Sequence, residues 1–136
     1  MTRVRPATAG DAEQAIAVWE ACGLTRPWND ARADFTRALG HEAATILLAE
    51  EEGAIVGTVM AGFDGHRGWL YYLGVLPDHR GSGIARRLVG AACDWLREGG
   101  CPKVELMVRE GNPAAAFYEH LDWELQPVKV FGRRLA

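Results

Sequence analysis

Hydrophobic residues recur along this chain with two periods, and each change of period marks a boundary between elements. Residues 2–6, TRVRP, read as a short first strand. Thr8, with Asp11 three residues later, resembles a capping arrangement in which Asp stands where Glu or Gln is usual. Ala12, Ala15, Ile16 and Trp19 then fall at helical spacing as far as about Gly23. Leu24 to Trp28 is a loop. Asn29 or Asp30 caps a second short helix, in which Phe35, Ala38 and Leu39 share a face before Gly40 ends it.

Two β-rich runs follow, Thr45–Glu50 and Ile55–Phe63, joined by Glu51-Glu52-Gly53 as a hairpin. The turn Asp64-Gly65-His66-Arg67-Gly68 leads to a third strand, Trp69–Val75, so the three predict an antiparallel meander. From about Ser82 to Glu98, apolar residues at 84, 85, 88, 89, 92, 95 and 96 form a stripe wide enough to cover a sheet face, with Arg86, Arg87, Asp94 and Arg97 opposite. Gly99-Gly100 stops this helix, and Lys103–Arg109 is a strand with Val104, Leu106 and Val108 on one side. Strand, helix, strand makes residues 69–75 and 103–109 parallel neighbours through a right-handed crossover. Asn112-Pro113 opens a last helix to about Leu121, with Pro well placed in its first turn. Trp123–Leu125 and Val128–Phe131 read as closing strands around Pro127. The expectation is one mixed α/β domain over residues 3–136, with a mostly antiparallel central sheet, one parallel strand pair and helices on both faces.

Bulk properties narrow the function. A chain of 136 residues supports one domain with its own core. A net charge of −3 offers no basic footprint, which argues against nucleic acid as a partner. No run approaches the roughly 18 apolar residues of a membrane span. The opening MTRVRPATAGDAE has no apolar signal core, and Cys22, Cys93 and Cys101 are odd in number and widely spaced. These features predict a cytoplasmic protein with reduced thiols and no membrane partner. The four histidines are scattered, so no metal site is expected.

The chemistry concentrates between the third strand and the long helix. Arg80-Gly81-Ser82-Gly83 delivers a strand onto a helix N-terminus, where unpaired N–H groups and the positive end of the macrodipole favour an anion. Gly81 and Gly83 keep Cβ atoms away from a close backbone approach, and Arg80 can add a charge-assisted contact. A phosphate or pyrophosphate cradle is one reading, and a capping turn that binds nothing is the other.

Arg80-Gly81-Ser82-Gly83-Ile84-Ala85, after Leu73-Gly74-Val75-Leu76-Pro77, resembles the pyrophosphate signature Arg/Gln-x-x-Gly-x-Gly/Ala of the GNAT N-acetyltransferases. Asn112, Phe117, Tyr118, Glu119 and Leu121 are similar to that family's second segment, and the likeness runs from about Arg3 to the end. Two positions depart from the pattern. Asn112 lies six residues before Tyr118 where the family has seven, and Asp122 stands where Gly is common.

The resemblance implies the GNAT fold, in which the two parallel strands splay apart. It also implies transfer of an acetyl group from acetyl-CoA to a primary amine of a small molecule or peptide, by direct attack in a ternary complex. A non-catalytic acyl-CoA-binding or sensing module is the alternative. By resemblance the backbone of Arg80, Gly81, Ser82, Gly83, Ile84 and Ala85 takes the pyrophosphate of the co-substrate, and the main chain at Leu73 and Val75 bonds its pantetheine and thioester carbonyl. Asn112 either binds the pantetheine or caps the last helix. Tyr118 is the candidate general acid for the leaving thiolate, since a phenol is protonated at neutral pH; the competing reading is a packed aromatic. Trp28 either borders the acceptor site or packs in the core. No base is nominated: the family position falls on Met107, Glu105 and Glu110 do not match it, and Asp30, Asp64, His66, Tyr71 and Tyr72 read better as turn, surface or wall residues. The resemblance is compatible with a homodimer and does not identify the acceptor.

Overall fold

The computed structural model describes residues 2–135. Its elements in chain order are β1 (Thr2–Pro6), α1 (Ala12–Ala21), α2 (Ala31–Leu39), β2 (Ala44–Glu51), β3 (Ala54–Phe63), β4 (Gly68–Val75), α3 (Ile84–Glu98), β5 (Val104–Leu106) and α4 (Ala114–His120). Short 3-10 turns at Ala9–Asp11 and Pro77–His79 precede α1 and α3. The five strands form one sheet in the order β1-β2-β3-β4-β5, antiparallel except for the parallel pair β4–β5.

Local chemistry accounts for much of this order. Glu51 pairs with Ala54, leaving Glu52 and Gly53 as a two-residue loop with φ of 50° and 83°. Positive φ at both positions matches the twist of the flanking strands and closes the hairpin tightly. β2 is apolar from Ile46 to Ala49 because both of its faces are covered there. Ile46 and Leu48 pack with Trp19 and Phe35 under α1 and α2, while Leu47 and Ala49 pack with Leu88 and Leu96 of α3. The α3 stripe is Ile84, Leu88, Val89, Ala92 and Leu96, as its spacing predicts. Gly100, at φ 86°, ends the helix and lets the Cys101 N–H return to the Leu96 carbonyl.

The start of α1 is tied to β1 by charge. Arg5 donates two hydrogen bonds of 2.9 Å to the Asp11 carboxylate, which also accepts from the Thr8 N–H at 2.8 Å. The Asp at the third position after Thr8 thus does the work expected of a capping carboxylate. The Arg5 bonds, together with those from Thr8, hold the Asp11 carboxyl far below the usual range against the opposing effect of its burial.

Three expectations need correction. The long helix begins at Ile84, not Ser82, because Gly83 is left-handed at φ 85° and caps it from outside. β5 pairs over three residues only, Val104–Leu106, because β4 turns away beyond Leu70. Residues 123–125 and 128–131 form no strand, since no neighbouring edge supplies their hydrogen bonds. The chain reverses before them at Asp122, with φ 68°, a conformation Asp tolerates better than most residues. Among the described residues no helix is long and apolar enough to cross a membrane.

Asp11→Asn should therefore lower stability by about 1–3 kcal/mol, since Arg5 loses its bidentate carboxylate and keeps only the longer contacts to Glu50. Because the folded carboxyl titrates below the unfolded one, its contribution is present above pH of about 4 and fades as pH falls further. Denaturant titrations across that acid range should show a shallower decline for the Asn variant than for the wild type.

Candidate active site

β4 and β5 are neighbours only from Gly68 to Leu70, opposite Val104 to Leu106. Beyond that point Tyr71–Val75 continues with one edge open. On its other side β4 carries a bulge: Met60 pairs with Tyr71 and Thr58 with Gly74, so Val59 alone opposes both Tyr72 and Leu73. Tyr72 takes a left-handed φ of 53°, uncommon for a bulky residue. The extra residue changes which side chains share a face. Leu70, Leu73 and Val75 all pack toward α3, whereas Tyr72 turns to the α1 side.

A buried bridge holds this geometry. The Thr58 hydroxyl, fully buried, donates to the Tyr72 carbonyl at 2.7 Å and accepts from the Trp19 indole N–H at 3.1 Å. Trp19 stacks on the Tyr72 ring with centroids 3.8 Å apart. The Tyr72 hydroxyl donates to Asp34 of α2 at 2.6 Å, and burial followed by this bond pushes its titration well above that of a free phenol. Gly74 is required where α1 ends against β4, because a Cβ there would lie 2.9 Å from the Cys22 sulfur. The sequence marks Trp19 only as part of the apolar face of α1 and does not single out Thr58 or Asp34; a lone hydroxyl among the apolar residues of β3 is the available signal.

The open edge leads to the glycine turn. The Leu76 N–H bonds the Val56 carbonyl of β3, so strand alternation turns the main chain of Val75, and of Leu73 before it, to the edge that β5 has left. Among the described residues, the N–H groups of Gly81 to Arg86 donate to no acceptor, and the first bond of the helix is Arg87 N–H to the Gly83 carbonyl. Gly81 and Gly83 both have φ near 85°, and a Cβ at either would point into open space. This is a concavity of six consecutive main-chain positions, Gly81 through Arg86, at the positive end of a 15-residue helix. The Arg80 Nε donates to the Val75 carbonyl at 2.8 Å, so that side chain fastens the turn to the strand end. The Ser82 hydroxyl donates to the His79 carbonyl at 3.0 Å.

The other residues singled out from the sequence lie in α4, in or beside β5 and in the loops. Tyr118 of α4 packs edge-on to Phe117 and Trp123, and burial raises its phenol above the ordinary value. The Asn112 Oδ1 accepts from the Ala114 N–H at 2.9 Å, the capping role. Trp28, 54 % exposed in the loop between α1 and α2, lies with its ring 5.9 Å from the Arg109 guanidinium. It is not a core residue. Asp30 caps α2 through the Ala33 N–H, and Asp64 accepts from the His66 and Arg67 N–H groups. Glu105 faces Arg67 at 3.7 Å, while Met107 is half exposed. Among the described residues no group of three or more His, Cys, Asp or Glu side chains is placed to hold a metal.

Comparison with known proteins decides the family. The model of the acetyltransferase (GNAT) family matches residues 9–123. The chain belongs to the GNAT acetyltransferase family. An acetyltransferase of Yersinia enterocolitica is 49% identical over 133 residues, 97% of this chain and 94% of the relative. One from Pectobacterium atrosepticum is 50% identical over 126 residues, 92% and 89% of the two chains. The fold is shared with aminoglycoside N-acetyltransferase AAC(6')-Iy, solved with a bisubstrate analogue, at TM-score 0.86 and 18% identity over 100% and 99% of the chains. It is shared also with glucosamine-6-phosphate N-acetyltransferase of Arabidopsis thaliana, at TM-score 0.80 and 18% identity over 98% of each chain. By family, this GNAT protein is an N-acetyltransferase.

Thr58→Val keeps the shape of the bridge and deletes its hydroxyl, leaving the Trp19 N–H and the Tyr72 carbonyl without this partner. Stability should fall by about 1–3 kcal/mol. Tyr72→Phe, which loses only the half-buried bond to Asp34, should cost less. Chemical denaturation of the two variants side by side checks the order.

Proposed function

We propose that this enzyme transfers the acetyl group of acetyl-CoA to a primary amine of a small molecule or peptide, by direct attack in a ternary complex. The reading rests on one juxtaposition: an open strand edge at Leu73–Val75 that runs straight into the N–H-lined turn at residues 81–86. An elongated ligand with an amide-bearing arm and a pyrophosphate matches both halves. Acetyl-CoA is such a ligand, and when bound it supplies an activated acetyl group as a thioester.

The chain's own residues divide the work. The main chain of Gly81, Ser82, Gly83, Ile84 and Ala85 holds the pyrophosphate oxygens, with the α3 dipole behind it. Arg80 keeps the turn in register with β4, and its charge adds to the local positive potential. The main chain at Leu73 and Val75 accepts the arm as an added strand and orients the thioester carbonyl. A preorganised N–H aimed at a developing oxyanion is worth roughly 3–4 kcal/mol. Asn112 borders the arm through its amide nitrogen while its oxygen caps α4. Tyr118 keeps its proton at neutral pH, because burial disfavours the phenolate, and gives it to the departing sulfur. Trp28 offers an exposed indole as one wall for the acceptor. Three free thiols, Cys22, Cys93 and Cys101, fit a cytoplasmic setting.

Tyr118→Phe removes the proton donor and keeps the ring, so CoA affinity should change little. The rate of the chemical step should drop by about 10²–10⁴-fold. The deficit should shrink with acyl donors whose thiols are more acidic, since these leave unaided. Single-turnover kinetics with calorimetric CoA binding tests this; a loss confined to CoA binding would make Tyr118 a structural contact.

Trp28→Ala should raise the acceptor KM while leaving CoA affinity and thermal stability near wild type. Steady-state kinetics against a panel of amines, with a melting curve for each variant, separates this from a packing role.

A further inference from the structure

Arginines from three separate segments gather where β4 and β5 part. Residues 107–109 follow β5 directly, at the end of the pair where the two strands separate. The loop between α1 and α2 runs from one strand to the other at that end. Its start lies against β4, since a Cβ at Gly74 would stand 3.0 Å from Leu24 Cδ1. Its far end brings the Trp28 ring to 5.9 Å from the Arg109 guanidinium. Arg134 reaches in from the C-terminal segment and donates to the Trp28 carbonyl and, at 3.1 Å, to Asn29 Oδ1. Arg26, within the loop, donates to the Gly23 and Thr25 carbonyls at 2.7 and 2.8 Å.

The charge gathered here is uncompensated. Arg5, Arg37 and Arg97 each sit on a carboxylate. Among the described residues no carboxylate lies within ion-pairing distance of Arg26, Arg109 or Arg134. Asp30, two residues after Trp28, is taken by the Ala33 N–H. The whole chain carries −3, so this positive excess belongs to the site and not to the composition. Between the guanidinium groups stands an indole that is 54 % exposed. Planar, fork-shaped donors beside an open aromatic face suit an oxyanion attached to a carbon skeleton.

We propose that the acceptor of this enzyme is a primary amine that also carries an oxyanion, a carboxylate or a phosphate. Arg109 and Arg134 receive that group, and the Trp28 indole covers the skeleton between it and the amine. An acceptor held by its anion at the mouth of the gap has its amine as the end free to enter toward the main chain of Leu73 and Val75. This assignment of an acceptor class rests on the acetyl-transfer reading.

The test compares kcat/KM within matched amines: propylamine with γ-aminobutyrate, ethanolamine with phosphoethanolamine, and tyramine with tyrosine. The anionic member should lead by about 10-fold or more in at least one pair, and the pair concerned tells carboxylate from phosphate. Arg109→Gln and Arg134→Gln should each reduce that lead by about 10–100-fold, while the KM for acetyl-CoA holds. Arg109→Lys should restore part of it, and added salt should erode it in the wild type. Equal use of both members in every pair would overturn the proposal, as would a lead that survives both Gln variants. Calorimetry of the same amines on the CoA-loaded protein reads the site without turnover. Arginine-dependent binding of the anionic amines with no acetylation would uphold the anion site and sink acetyl transfer. Acetylation of charged and uncharged amines alike would uphold transfer and sink the anion site.

Discussion

The hydrogen bond from the Thr58 hydroxyl to the Tyr72 carbonyl is the contact on which this architecture turns. It secures the bulge that inserts one extra residue into β4, and that residue decides which way the rest of the strand faces. Without it, Leu70 and Tyr72 would share a face, and Leu73 and Val75 would be carried to the opposite one. With it, Leu73 and Val75 join the α3 core through their side chains and present their main chain to the gap left by β5. A left-handed tyrosine is costly, by about 1–3 kcal/mol, and is kept only where its surroundings over-determine it. Here the determinants are the indole stack, the buried hydroxyl and the Asp34 carboxylate.

The second constraint is electrostatic and belongs to the backbone. The glycine turn places its donors without help from a basic patch; the protein as a whole is acidic, with net charge −3. Two left-handed glycines in three residues orient successive N–H groups into one concavity at the head of α3. Arg80, which by residue type suits a phosphate, is drawn back by its Nε onto the Val75 carbonyl. Its role in the structure is therefore one of alignment, joining the end of β4 to the glycine turn.

The carboxylates of α2 and of the turn between β3 and β4 are already engaged. Asp30 caps α2, Asp34 accepts from Tyr72 and Arg37, and Asp64 closes its own turn. No base emerged from residue type and spacing, and these acidic side chains serve a helix cap, a turn and the Tyr72 hydroxyl. Trp28, by contrast, is held in place through its main chain by Arg134 and through its ring by Arg109, which leaves much of the indole face to solvent.

What could be read from the sequence was local in its physics. The Glu52-Gly53 hairpin, the α3 stripe, the Thr8–Asp11 cap and the glycine turn each depend on residues within a few positions of one another. Their periodicity and turn chemistry survive translation into one dimension. The family likeness added the splay of the parallel strands. The bulge at Tyr72 was illegible, because its cause lies in Trp19 and Thr58, residues 39 positions apart that meet only when α1 packs on β3. The shortness of β5 was illegible for the same reason, since β4 must first turn away. The outward placement of residues 123–131 shows the limit most plainly: alternating apolar residues announce a strand, but only a neighbouring edge with free donors and acceptors makes one.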